Sequence, residues 1–275
     1  MDIQPTPRVP TRPKEEEKKN QGLMQRIDPW WGMVIGVVII IILMVTTMPD
    51  PFMRILLFVR DGIGVTIFTT LASFVLILIL GLIAALARIS SNPILRGIAT
   101  VYVEVIRGIP LLVQLLFWYF AFPSVVQGMG SALNIEIFKN YLADPIGMAI
   151  MGLTFCYAAY MSEVYRAGIQ SIPRGQMEAA RSLGMNYIQA MRFIIIPQAV
   201  RVILPPVGND LISLLKDSSL VSVVAVADMT RRGREFMSKY FNPIETWVMI
   251  ALLYLVLTLF TARIVCWIEN KYKAT

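Results

Sequence analysis

Four polar groupings interrupt the oily parts of this 275-residue sequence, and their residue types decide what chemistry is available. Glu163 and Arg166 stand three positions apart. Asn209 precedes Asp210, and Lys216, Asp217 and Ser218 close the same segment. Glu104 and Arg107 repeat the three-residue spacing shortly before Pro110. Ionisable groups at membrane depth are costly, so each reads as half of an ion pair or as a functional residue. Such groups can hold the ends of a charged solute or line its path. Covalent chemistry is poorly served. There is no histidine, which removes imidazole-based triads, His-Glu zinc sites and imidazole proton shuttles. Neither a G-x-x-x-x-G-K-[ST] phosphate loop nor a G-x-S-x-G elbow occurs. Cys156 and Cys266 sit in apolar runs with no C-x-x-C pair, as inert buried thiols do. No metal site and no nucleotide site is expected in this chain.

The elements that must position these residues are helices in a membrane. The chain is 56% hydrophobic and 16% charged, outside the habit of soluble domains. Long charge-free runs occur near 29–49, 62–87, 108–135, 145–162 and 246–262. About 20 helical residues cross a bilayer, and a barrel would instead show alternating segments of about 10 residues. The expected fold is all-α, a polytopic transmembrane helical bundle of about six spans: 29–49, 62–87, 97–122, 146–166, 193–216 and 244–267. Trp30 and Trp31 suit an interface. Gly128 and Gly130 mark a loop running to Pro145. The fifth span holds Arg201, Pro205, Pro206, Asn209 and Asp210 and reads as a broken helix facing protein or a water-filled cavity. Residues 218–227 are too short to cross and read as re-entrant or interfacial. Residues 1–28 form a polar tail.

Charge sets the expected orientation. With both termini cytoplasmic, inside segments carry 15 Lys and Arg and outside segments 7. Arg231, Arg232 and Arg234 run against this bias: either that loop translocates regardless, or it docks something outside. The net charge of +7 fits topology and attraction to membrane lipid, not nucleic acid.

Residues 174–198, RGQMEAARSLGMNYIQAMRFIIIPQ, break the oily pattern most sharply. Ser171 and Pro173 precede a helix of about two turns. Gly184 suits a left-handed C-terminal cap, and Asn186 suits the cap of a second helix. Tyr187, Ala190, Met191 and Ile194 make one apolar stripe, and Pro197 marks entry to the next span. On periodicity alone, an amphipathic elbow resting on lipid headgroups fits as well as a docking element.

Glu178-Ala179-Ala180, then Gly184, Ile194 and Pro197 at this spacing, resemble the EAA loop of permease subunits of ATP-binding-cassette importers. The family pattern has Leu before the proline; here it is Ile196. The stretches YVEVIRGIPLLVQL, AAYMSEVYRAGIQSIPRGQ and PQAVRVILPPVGNDLISLLKDSSLVSV look like the polar amino acid branch. The resemblance covers about 60–270, the importer permease domain, and makes the span at 29–49 an addition to a five-span core. It implies that 171–196 is a cytoplasmic coupling loop. Gly175, Glu178, Ala179, Ala180, Gly184, Ile194 and Pro197 would meet a separate ATPase dimer, which binds ATP and magnesium. It also implies a second permease subunit, identical or related, an extracytoplasmic substrate-binding protein, an amino acid substrate and a place in the bacterial inner membrane. Glu163, Asn209, Asp210 and Lys216 are the expected pathway residues. Asp210 and Glu163 would attract a cation, but both stand in motifs shared by importers of different amino acids and do not rank substrates. The competing reading is a secondary transporter or channel that needs no ATPase. It would require internal repeats and its own ion-coupling site, and no clear repeat is visible.

Overall fold

The computed structural model describes residues 29–273; the polar tail read at 1–28 lies outside them. Six helices among the described residues are long and apolar enough to cross a membrane. The first, α1 (Pro29–Thr47), buries almost none of its surface. It touches the last span, where the Trp30 indole donates to the Leu259 carbonyl at 3.2 Å, and packs Ile41, Met44 and Val45 against the cluster around Phe52, while Ile35, Val38, Ile39, Ile40 and Ile42 face outward.

The second helix, α2 (Pro49–Ile89), has 41 residues, roughly 60 Å at 1.5 Å per residue and about twice the thickness of a bilayer core. Residues 50–61 were expected as an outer loop. They are helical beyond Asp50 because Phe52, Ile55 and Val59 fall on one face and pack against Met229, Phe236, Met249 and Ile250. Gly62 continues that face. A β-carbon there would stand 2.9 Å from the backbone of Asp228 and Met229.

The third span is broken. α3 (Pro93–Gly108) is capped by Asn92, whose side chain accepts from the Ile94 amide at 2.9 Å. The chain is extended at Ile109 and Pro110, then resumes as α4 (Leu111–Leu133) with a π turn at Phe117–Ala121. Gly128 and Gly130 lie within α4, not in the expected loop. Gly130 has a packing reason: a β-carbon there would meet the Phe138 and Lys139 backbone at 2.5–2.6 Å.

The centre of the bundle is α5 (Pro145–Gln170), the most deeply buried span. Asp144 caps its start. Its small residues Ala158, Ala159 and Ser162 are buried, as are Ile77, Ala84 and Ala85 of α2. At Gly81 a β-carbon would stand 2.8 Å from the Met161 side chain. Helices in lipid gain from such close approach, because lipid offers no hydrophobic incentive to associate.

A short helix, α6 (Arg174–Ser182), leads into α7 (Tyr187–Val224). Two expectations change here. The second half of the elbow is not a separate helix but the first turns of the fifth span, joined through a π turn at Met191–Ile195. That wider turn accommodates Pro197, which brings no amide donor. The span is also unbroken at Pro205 and Pro206, which remove donors without ending the helix. Residues Ser218–Val224 finish it as a 3-10 turn packed inside the protein. Then come α8 (Met229–Tyr240) and the last span, α9 (Pro243–Lys273).

The close approach at Gly62 yields a test. Gly62→Val should lower the thermal stability of the detergent-purified protein by about 1–3 kcal/mol, the usual cost of overpacking. Gly64, with nothing near its β-position, should tolerate the same change. Equal melting of the two variants would contradict this packing.

Candidate functional site

The break between α3 and α4 opens a cavity of about 430 Å³. Breaking a helix inside a membrane leaves carbonyls without donors, which lipid cannot supply. Gln114 supplies them. Its buried amide nitrogen donates to the Ile106 carbonyl at 2.9 Å and the Ile109 carbonyl at 2.8 Å. The cavity is lined by Arg107 and Pro110 at the break, by Cys156, Tyr157 and Tyr160 of α5, and by Asp210, Ser213 and Asp217 of α7. The α5 residues come from the middle of a 26-residue span, so the cavity lies at membrane depth.

Its charges are unequally satisfied. The Tyr157 hydroxyl donates to the Asp217 carboxylate at 2.6 Å. The Arg107 guanidinium lies over the Tyr160 ring, 5.3 Å from its centroid. The Asp210 Oδ2 is buried and has no hydrogen-bond partner.

Arg107 also reaches out of the cavity, to Glu163 at 3.4 Å. Glu163 accepts from Arg88 of α2 and, at 2.7 and 2.9 Å, from Arg166. The i, i+3 pair with Arg166 therefore belongs to a carboxylate-centred knot tying α2, α3 and α5. Glu104 does not pair with Arg107; its carboxylate faces Arg88 at 3.8 Å.

The elbow forms a second site. α6 ends in the two-bond motif that left-handed caps make: the Gly184 amide donates to the Arg181 carbonyl, and the Met185 amide to the Ala180 carbonyl. Gly184 has φ +84°, a conformation that a side chain resists. Asn186 caps the next turn with Gln189 in a reciprocal pair at 2.9 Å each way. Ser171, expected to help start α6, instead bonds back to the Gly168 carbonyl. Glu178 falls mid-helix, away from the first turn, and its carboxylate makes no bond among the described residues. Around Gly184 the protein exposes Leu183, Tyr187 and Ile188 to 81%, 60% and 74%. Large apolar side chains this bare, on a polar elbow, suit a docking face or a surface resting on lipid headgroups.

A model of the family described as "Binding-protein-dependent transport system inner membrane component" matches residues 77–274. The glutamine transport system permease protein of Escherichia coli is 34% identical over 78% of this chain and 92% of its own length. This chain belongs to that family. Other permeases of the family resemble it too. The arginine transport system permease protein of Corynebacterium glutamicum is 40% identical over 70% of this chain, although the chain spans only 61% of that relative's length. The L-cystine transport system permease protein of Bacillus subtilis is 40% identical over 66% of the chain. Among solved structures, a crystal structure of an amino acid ABC transporter with histidines matches with TM-score 0.67 at 36% identity, covering 78% of this chain and 94% of that one. An inward-facing MetNI methionine ABC transporter shares the fold at 21% identity, TM-score 0.58.

In this permease the residues singled out from sequence separate into four places. Asp210 lines the membrane-depth cavity. Asn209 and Lys216, on the same helix, are exposed and line no cavity described here, and Glu163 sits behind the cavity in the arginine knot. In the elbow, Gly175, Glu178, Ala179, Gly184 and Pro197 are exposed, Ala180 is buried and Ile194 is half-buried. Sequence reasoning passed over Tyr157 and Tyr160 and singled out Arg107 only together with Glu104, three residues away, which the fold turns toward Arg88 instead. The signal was present in Gly108 and Pro110, which interrupt an apolar run beside Arg107.

The arginine cluster at 231–234 forms part of a larger cleft of about 740 Å³, with Tyr119, Phe120 and Lys239. Two of its cations are tied down. Arg232 bonds Asp61 and Glu235, and Arg231 bonds Glu235 at 3.0 Å. Burial opposes ionisation of Glu235, yet these arginines hold its carboxyl below the usual range. Asp228 caps α8, and burial pushes its carboxyl up despite the Arg231 and Thr230 amides. This cleft takes no side chain from α5. Among the described residues, the smaller cavity is lined at membrane depth by charges of both signs, Arg107 with Asp210 and Asp217, and is the candidate substrate site.

Removing Glu163 would strand its arginines, of which Arg88 is only 11% exposed. Glu163→Gln should therefore cost on the order of 3 kcal/mol, read as a fall in melting temperature. The apolar double change Glu163→Met with Arg88→Met should recover part of it. A double variant as unstable as the single one would contradict the ion-pair account.

Proposed function

We propose that this chain is the membrane-spanning permease subunit of an ATP-driven amino acid importer, moving its substrate by alternating access. The observation that carries the reading is the continuity of α7. One helix begins at the exposed elbow, at Asn186 and Tyr187, and carries Asp210, Ser213 and Asp217 to the cavity. A push on the elbow would move one wall of the substrate site as a rigid body. The named substrates of the relatives support an amino acid: arginine, glutamine and cystine.

In this reading a pair of ATPase subunits docks on the cytoplasmic elbow. There it meets Glu178, Ala179, Gly184 and the bare Leu183, Tyr187 and Ile188, and it alone handles ATP and magnesium. A second permease subunit completes the pore, and an extracytoplasmic binding protein delivers the substrate. Both termini face the cytoplasm of a bacterium, by the charge bias of the sequence. The span α1 is an addition to a five-span core, in keeping with its thin contact.

Glu178→Lys should uncouple ATP hydrolysis from uptake by reversing charge on the docking face. Gly184→Leu should do the same by straining the cap. In proteoliposomes holding the assembled transporter, each should reduce uptake per ATP hydrolysed at least about tenfold, while Gln189→Ala, at the neighbouring cap, should do less. Undiminished coupling in both elbow variants, or uptake that persists without any ATPase, would sink the reading and favour a secondary transporter.

A further inference from the structure

The smaller cavity and the larger cleft share two walls. On α4, Leu111 lines the cavity, and Tyr119 and Phe120 line the cleft. On α7, Asp217 lines the cavity, and Ser222 and Val223 line the cleft. The two spaces are therefore stacked along the same pair of helices, with the cleft at the end of α7 farthest from the elbow. From Leu111 to Tyr119 the helix advances roughly 12 Å at 1.5 Å per residue. We infer that the cleft is the far mouth of the substrate's route, and that the turn Ser218–Val224 is the gate between mouth and site. The inference rests on the reading of the smaller cavity as the substrate site.

The turn itself fills the gap. Val221 and Val224 are fully buried and belong to one apolar cluster with Leu115 of α4 and with Leu153 and Tyr157 of α5. This layer closes the way between two spaces that both carry charged side chains. An amino acid zwitterion cannot cross an apolar layer at tolerable cost, so the layer must open for it to pass.

Such a closure has to hold and also release. One side-chain bond fastens the turn at each edge. On the cavity side the Tyr157 hydroxyl, from α5, donates to the Asp217 carboxylate at 2.6 Å. On the cleft side the Arg234 guanidinium, from α8, donates to the buried Ser222 hydroxyl at 3.0 Å. Arg231 and Arg232 are tied to Glu235, whereas Arg234 turns to the gate. The backbone favours release. Bonds in a 3-10 turn are poorer in geometry than those of an α-helix. Ala225, which ends the turn, sits at φ +65°, a left-handed conformation that a β-carbon disfavours. Strain of this kind persists only while the surroundings hold it. The gate is also joined to the rod. Both acceptors, Asp217 and Ser222, ride on α7, and both donors stand on other helices. A shift of α7 driven from the elbow draws the acceptors away from their donors, so the push that moves the wall of the site also frees its far end.

The test asks whether a water-borne reagent can pass the turn. Ser213→Cys places a thiol in the cavity and Ser238→Cys one in the cleft, each in a protein whose Cys156 and Cys266 are replaced by serine. In sealed membrane vesicles without ATP, a membrane-impermeant methanethiosulfonate is added on the side from which Ser238→Cys reacts. Ser213→Cys should react from that side far more slowly than Ser238→Cys. Tyr157→Phe combined with Arg234→Gln removes both fastenings and keeps the aromatic ring. It should speed the Ser213→Cys reaction at least about tenfold, the worth of one hydrogen bond to a charged group, and leave the Ser238→Cys rate unchanged. Equal rates for the two thiols before the latches are cut, or a Ser213→Cys rate unmoved by the double change, would overturn the gate. If the double variant melts early, the two single variants, read in the same way, decide. Uptake of a radiolabelled amino acid mixture by the assembled transporter separates the gate from the reading beneath it. Full labelling of Ser213→Cys, or of native Cys156 if that variant does not transport, should block uptake. Uptake that survives labelling would overturn the substrate site and the gate with it, whereas a failure of the accessibility result alone overturns the gate and leaves the site standing.

Discussion

Every part of this protein depends on keeping one helix whole across the membrane. α7 must carry Pro197, Pro205 and Pro206, each of which removes an amide donor, and still run from the elbow past the cavity. A helix that broke at these prolines would leave carbonyls bare in lipid and would detach the elbow from the cavity. The π turn at Met191–Ile195 absorbs the first proline, and packing against α5 and α9 holds the rest. Gly168 and Gly208 make that packing possible, since a β-carbon on either would collide with Ile203 or Val265. The rod is unbroken between elbow and cavity, and it brings Asp210, Ser213 and Asp217 to the cavity wall.

The complementary element is a deliberate break. At Ile109 and Pro110 the chain gives up helical bonding, and Gln114 restores donors to the exposed carbonyls. That exchange creates the cavity and aims Arg107 into it. Behind the break, Glu163 gathers Arg88, Arg107 and Arg166. The knot ties α2, α3 and α5 together. In the proposed alternating access, these tied helices and the continuous α7 are the bodies that would rock against each other.

Much of this was legible in the sequence, and the misses have physical causes. Apolar runs located the spans, and the elbow's punctuation was accurate at Gly184 and Asn186, because capping is a local matter of one or two residues. Where the reading failed, a long-range partner decided. Residues 50–61 looked like a loop by charge, yet Phe52, Ile55 and Val59 meet α8 and α9, elements about 170 residues away. Gly130 looked like a turn signal but is a contact point. Pro205 and Pro206 looked like a break, while the real break fell at Pro110. A proline alone does not say whether a neighbour will replace its lost bond. In the cavity, Asp210 was readable as an ionisable residue in a span. Arg107 was hidden by an apparent local partner, Glu104, which the fold turns toward Arg88 instead.

The central claim is that α7 transmits motion from elbow to cavity as one body. Spin labels at Ile188 and Asn209, both exposed, measure its length, and a second pair at Ile188 and Leu86 measures its movement against α2. Cys266 and the buried Cys156 are replaced by serine to leave only these labels. On adding ATP to the assembled transporter, the account predicts a constant 188–209 distance and a changed 188–86 distance. A 188–209 distance that changes while 188–86 stays fixed would mean that the helix yields at its prolines, and would contradict the account.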